Sequence, residues 1–166
     1  MSADLINEMG YIALATRLKR ISDKMSHSTR LMYKQIDMDI EPNWYLVLIL
    51  VKEKPNISVM EIAKSMGFTH QSVNTITSKM MKKGYLKISK DTKDKRKTVF
   101  NITSKSIDAL PEIEKIWGIG KKVIYELLDE DITILKHLNT LESNLNKTSF
   151  GQRIINKLES TENEKT

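Results

Sequence analysis

Residues 57–96 read ISVMEIAKSMGFTHQSVNTITSKMMKKGYLKISKDTKDKR, and the order of signals within them decides the fold. Ser58-Val59-Met60-Glu61 fits a capping box, in which Ser58 accepts from the third helical N–H and Glu61 reaches back to the N-cap N–H. Val59, Ile62, Ala63 and Met66 then recur at spacings of three and four, which is one face of a helix. Gly67 supplies the left-handed backbone that stops a helix and turns the chain. Thr69 is an N-cap for a second helix, with Val73, Ile76 and Met80 on one face. Two short helices, a tight turn, the small Ala63, and the apolar anchors Ile62, Met66, Phe68, Val73 and Ile76 fit a helix-turn-helix better than a generic helical hairpin.

The other face of the second helix carries Thr69, His70, Gln71, Ser72, Asn74, Thr75 and Ser78, all uncharged hydrogen-bonding residues, followed by Lys79. No acid occurs from Thr69 through Lys90. A merely solvated face more often carries Glu and Lys pairs. Gln and Asn can pair bidentately with adenine, and Ser and Thr can donate or accept at base edges. These eight residues are therefore the candidate reading surface for duplex DNA.

Tyr85 to Ser89 and Thr98 to Ile102 alternate, with β-branched or aromatic residues, and read as two strands. The tip between them, Lys90 to Lys97, is too long for a two-residue turn and should project. Nine basic residues and two acids lie between Lys79 and Lys97, a balance of +7 in a chain of net charge +6, so the other 147 residues sum to −1. One short element carries the whole positive balance, as expected of a footprint on phosphate. Lys90, Lys93, Lys95, Arg96 and Lys97 are the candidate contacts at the tip.

Composition excludes several classes. The 166 residues fit one compact domain, with or without helical extensions, and they include no Cys. Disulfides, thiolate metal sites and cysteine redox chemistry are closed, which suits a reducing cytosol. No run of 18 or more apolar residues occurs, so no membrane span is expected. The start, MSADLINEMG, lacks the basic and then apolar character of a signal peptide, and a cytoplasmic protein is expected. His27, His70 and His137 lie in separate elements, without the paired spacing a zinc site wants. Asp129-Glu130-Asp131 reads as a helix start favoured by the macrodipole, not as an acid–base cluster. No Ser/His/Asp or Cys/His arrangement and no phosphate-cradling Gly loop is present, so neither an enzyme nor a cofactor is expected.

Residues 4–36 read as one long helix, with Leu14, Leu18, Ile21, Met25, Met32 and Ile36 in a stripe. Such a stripe suits pairing with another subunit; long intrachain packing is the other possibility. Asp37 to Glu41 forms a connector, and Pro42 suits the first position of a new helix. Trp44, Leu46, Val47, Leu48, Leu50 and Val51 place that helix at the centre of the core, and Pro55-Asn56 ends it. Ile57 forms a brief strand. Thr103 caps a helix through Ile107, Leu110, Ile113, Trp117 and Ile124, in which Pro111, Gly118 or Gly120 could introduce a kink or a split. Leu135, Leu138, Leu141 and Leu145 form a last clear stripe. Residues 148–159 add a short helix, and Ser160 to Thr166 is expected to fray. The fold class is mainly α with a small β-hairpin wing, α+β. It divides as 1–36, an N-terminal helix; 37–103, a winged helix-turn-helix; 104–160, C-terminal helices; and 161–166, a frayed tail.

Ile40-Glu41-Pro42 before an apolar helix, the Ile62–Ile76 helix-turn-helix, Lys82-Lys83-Gly84-Tyr85-Leu86, the tip Asp91-Thr92-Lys93-Asp94-Lys95-Arg96, and Ile102-Thr103 occur in this order. Over about residues 5 to 146 the chain resembles the MarR family of bacterial transcriptional regulators, most specifically in its wing, which is similar to an Asp-x-Arg-Asp-x-Arg pattern. Lys93 stands where the family usually has Arg, which keeps charge but loses bidentate geometry. Ser106 stands where Gly is common, and Pro111 is not a family feature.

The resemblance implies a homodimer, interlocked by its first and last helices, on a pseudo-palindromic operator with half-sites about one helical turn apart. It implies that residues 70–83 enter the major groove. Lys95 and Arg96 would reach the minor groove, and Asp94 would pair with Arg96 to shape the wing. It also implies a repressor released by a small aromatic effector, for which Trp44 and Trp117 are weak candidates; both side chains also fit plain core. The competing reading is a winged-helix interaction module whose basic wing binds an acidic protein partner or RNA.

Overall fold

Gly10 takes a φ of +57° and breaks the N-terminal helix expected over residues 4–36. The computed structural model describes residues 4–91 and 94–163. Helix α1 is Leu5–Glu8, a 3₁₀ turn covers Gly10–Ala13, and α2 runs Leu14–Gln35. A left-handed residue cannot continue a right-handed helix, and glycine takes that conformation without steric cost. Arg20 forks onto Asp4 at 2.8 and 3.0 Å, tying α1 back along α2.

Helix α3 is Trp44–Glu53, with Trp44, Val47, Leu48 and Val51 buried. It starts two residues later than Pro42, contrary to the sequence expectation. Pro42 instead follows Glu41 in a turn closed by the Trp44 N–H on the Glu41 carbonyl at 3.0 Å. Proline's fixed φ suits the second position of such a turn as well as the first position of a helix.

Strand β1, Ile57–Ser58, leads into α4, Val59–Met66. The capping box is complete: the Glu61 N–H donates to Ser58 Oγ at 3.3 Å, and the Ser58 N–H donates to Glu61 Oε2 at 3.0 Å. Gly67 ends α4 at a φ of +65°, and Thr69 caps α5, His70–Lys82, by accepting from the Ser72 N–H at 3.1 Å. Strands β2, Leu86–Lys90, and β3, Thr98–Ile102, pair antiparallel, with Leu86 opposite Ile102 and Lys90 opposite Thr98. β1 pairs on the other edge of β3, giving the order β1-β3-β2. Val47, Leu48 and Val51 of α3, Ile62 of α4, Val73 and Met80 of α5, and Val99 and Phe100 of β3 form the core.

Lys54 also reaches Glu61. Its ammonium, followed by the Ser58 backbone and hydroxyl, lowers the Glu61 carboxyl to about 2. A depressed carboxylate stabilises the fold above its ordinary range near 4.5, and that contribution is lost as pH falls toward 2. Glu61→Gln keeps a capping amide but loses the charge. It should cost roughly 0.5–1 kcal/mol near neutral pH, because the half-exposed pair is screened by solvent. Urea unfolding of the two proteins should converge as pH falls; a constant gap at all pH values would show that the charge is not what matters.

The chain forms two compact units, Met1–Ile113 and Glu114–Thr166. Helix α6, Ser104–Leu127, is unbroken through Pro111, Gly118 and Gly120, so the split allowed by the sequence does not occur. Pro111 forfeits one backbone hydrogen bond, and a Cβ at either glycine would meet open space. Helices α7, Thr133–Lys147, and α8, Phe150–Asn163, complete the second unit. The Thr133 N–H donates to Asp131 Oδ1 at 2.7 Å, so this acid, one residue before the N-cap Ile132, holds the first N–H of α7. Helix α8 continues past residue 160, and 164–166 lie outside the described residues. Among residues 114–162, none is buried.

Candidate nucleic-acid interface

Helix α5 is held from below and left open above. Val73, Thr77 and Met80 are buried, with the Thr77 hydroxyl donating to the Val73 carbonyl at 2.9 Å. Thr77 takes a buried place that spacing assigns to Ile76, which is only half-buried. Thr can do so because its hydroxyl is satisfied by its own helix. Thr69, His70, Gln71, Ser72, Asn74, Thr75, Ser78 and Lys79 are all exposed.

These residues differ in how far they are committed. The Thr75 hydroxyl donates to the Gln71 carbonyl at 3.0 Å, and Thr69 and Ser72 share a 2.8 Å hydroxyl contact. Asn74 Nδ2 meets His70 Nδ1 at 3.3 Å, one turn apart. Gln71, Asn74 and Ser78 follow one another at three and four residues, a stripe that can present two carboxamides outward.

The wing tip is organised by its two acids. Asp91 Oδ1 accepts from the Asp94 N–H at 2.8 Å, and Asp94 Oδ1 accepts from the Arg96 N–H at 3.1 Å and from Arg96 Nε at 3.2 Å. The Asp91 N–H donates to the Lys97 carbonyl at 3.0 Å, and the Lys97 N–H to the Asp94 carbonyl at 2.9 Å. Lys90, Lys95, Arg96 and Lys97 are exposed. Lys93 lies outside the described residues.

A groove of about 620 Å³ runs along one flank of α5. Thr69, Ser72, Thr75, Ile76 and Lys79 line it together with Arg30, Glu41 and Trp44. Arg30 is paired with Glu41 at 2.9 Å. Trp44 is largely buried, with its ring edge-on to Tyr85 at 5.6 Å and 67°. Trp117 is half-buried in the second unit and does not line this groove.

Sequence reasoning missed a cluster at the C-terminal end of α5. Asp39 accepts from the Tyr85 hydroxyl at 2.6 Å and from Lys105 Nζ at 3.1 Å, with Lys83 Nζ at 3.8 Å. Burial disfavours the Asp39 charge, but the Tyr85 hydroxyl, Lys105 and Lys83 outweigh it and hold the carboxyl below its usual range. Burial, and then Asp39, push the Tyr85 hydroxyl far up. The partners lie 46 and 66 residues away along the chain, beyond any spacing rule. Among the described residues, no group of three or more His, Asp or Glu is placed to hold a metal ion. No described helix is long and apolar enough to cross a membrane.

A family model described as the MarR family matches residues 38–97, from the connector that holds Asp39 to the end of the wing tip. Comparison with curated proteins returns no match. Among solved structures, the fold is similar to a MarR protein from Peptoclostridium difficile, 18% identical with a TM-score of 0.64, over 91% of this chain and 93% of that one. It is also similar to the S. aureus MepR–DNA complex, 19% identical with a TM-score of 0.66, over 84% of this chain and 99% of that one. A third likeness is to the PcaV transcriptional regulator from Streptomyces coelicolor in complex with its natural ligand, 15% identical with a TM-score of 0.62, over 90% of this chain and 99% of that one.

Proposed function

We propose that this chain, whose residues 38–97 match a family model described as the MarR family, is a winged-helix DNA-binding transcriptional regulator of that family and works as a homodimeric, effector-released repressor on a pseudo-palindromic site. The observation that carries the DNA reading is the face of α5: exposed, polar and free of acids, on a helix fixed by buried Val73, Thr77 and Met80. Direct readout needs donors and acceptors at a rigid spacing, and a carboxylate there would be repelled by phosphate. Gln71, Asn74 and Ser78 read bases; Thr69, His70, Ser72, Thr75 and Lys79 support them at base edges and backbone. Lys90, Lys93, Lys95, Arg96 and Lys97 supply phosphate or minor-groove contacts, with Asp94 shaping the tip. The DNA-binding domain is residues 37–103, and the flanking helices dimerise. The protein acts in the cytoplasm and performs no catalysis.

The groove beside α5 supports the effector part of the reading. It brings the Arg30–Glu41 ion pair into one groove with the apolar side chains of Trp44, Phe68 and Ile76, a mixed lining that suits a small aromatic molecule. An interaction module for an acidic protein partner or RNA would need the basic wing but has no use for an acid-free face on α5.

Selection from a pool of random duplexes, followed by mobility shifts at two salt concentrations, tests the reading. A symmetric preferred site is expected, and binding that does not rise above bulk DNA would remove the claim of sequence reading. Lys95→Ala should weaken binding to all duplexes and lower the salt slope by about one. Asn74→Ala should instead lose roughly 1–3 kcal/mol of discrimination at a single base pair. Equal losses on every sequence would reassign Asn74 to the backbone.

A further inference from the structure

We infer that Asp39 is a positioning residue for DNA binding, clamping the C-terminal end of α5 to the start of α6 and so setting the pitch at which α5 meets a groove. This rests on the reading of α5 as the recognition helix and adds what holds it in place. Asp39 sits in the connector between α2 and α3, yet its carboxylate joins Tyr85, Lys105 and Lys83. The Lys105 ammonium is held three ways: by Asp39, by the Lys83 carbonyl at 2.9 Å, and over the Tyr85 ring at 4.3 Å. Lys83 is the C-cap of α5, where the last carbonyls and the helix dipole present negative charge, so the ammonium is well placed.

The next carbonyls are held from the same side. Thr103 Oγ1 donates to the Gly84 carbonyl at 2.6 Å, and Ser106 Oγ donates to the Tyr85 carbonyl. The backbone of Lys83, Gly84 and Tyr85 therefore accepts three consecutive bonds from the start of α6. This is where the chain leaves α5 toward the wing, with Gly84 at a φ of +77°. Without the Asp39 charge, Lys83 and Lys105 become two uncompensated cations beside one helix end. Repulsion then favours releasing Lys105 from the Lys83 carbonyl.

Lys105 is itself basic, so the competing role is a direct phosphate contact, and a double-mutant cycle separates the two. Asp39→Asn keeps the size and an acceptor for Tyr85, while Lys105→Met keeps the length without the ammonium. With the duplex selected above, each single substitution should weaken specific binding roughly tenfold, and the double should be no worse than either single. The slope of binding against salt should not change. A lower slope in Lys105→Met, with losses multiplying to roughly a hundredfold in the double, would make Lys105 a phosphate contact and overturn the clamp.

Deuterium exchange on the free protein needs no DNA. Both variants should speed exchange of the Lys83, Gly84 and Tyr85 amides, which bond to the Lys79, Met81 and Met80 carbonyls, and leave the α3 amides unchanged. Unaltered exchange at the end of α5 in both variants would overturn the clamp. If the wild type shows no sequence preference, the recognition-helix reading falls on its own, and the exchange result still decides whether Asp39 holds α5.

Discussion

Substituting Phe150 and Leu158 together with glutamate should leave the chain monomeric in solution and weaken binding to a symmetric site by about a hundredfold or more. In one chain Phe150 is 69% exposed and Leu158 is 61% exposed, on an α8 that also exposes Ile154. The three recur at four-residue intervals, a stripe along one face. Burying each side chain would contribute roughly 1.5–3 kcal/mol, and two-fold symmetry counts each twice. No residue from 114 to 162 is buried, so α7 and α8 make no core within their own unit. In the proposed dimer, loss of pairing turns a two-site interaction into a one-site one, which is why the expected effect on DNA exceeds that of any base contact. Sedimentation equilibrium should give twice the chain mass for the wild type and the single-chain mass for the variant. A variant that remains dimeric with unchanged affinity would place the interface on a different face.

Ile62→Ala should destabilise the first unit by about 2–5 kcal/mol, a large share of the roughly 5–15 kcal/mol that holds a domain folded. Ile62 is fully buried on α4, the helix that supports α5 across the Gly67 turn. Truncation leaves a cavity that the backbone of two short helices cannot close. The urea midpoint should fall accordingly, and apparent DNA affinity should fall with the folded fraction as temperature rises. Met60→Ala, on the same helix but with Met60 72% exposed, should change stability by no more than about 0.5 kcal/mol. Equal losses at the two positions would mean that α4 is not packed as described.

Much of the candidate site was legible because its signals are local. The Ser58–Glu61 box, Gly67 and the Thr69 cap act within a turn or two, and the structure shows each. The hairpin and its crowded tip follow from composition over a dozen residues. Gly10, Pro42 and Pro111 were less legible, because each residue permits more than one local conformation and its surroundings choose. Gly10 broke a helix, Pro42 entered a turn, and Pro111 stayed within an unbroken helix.

By itself, then, the sequence determined the helix-turn-helix, the wing and the location of the positive charge. Each of these is decided by caps, periodicity and turn residues whose partners are a few positions away. Only the tertiary structure decided that Thr77 rather than Ile76 is buried, and that Asp39 joins Tyr85, Lys83 and Lys105 at the end of α5. Burial of a hydroxyl depends on whether its helix can satisfy it. A charge cluster depends on which distant segments the packed core brings within about 4 Å.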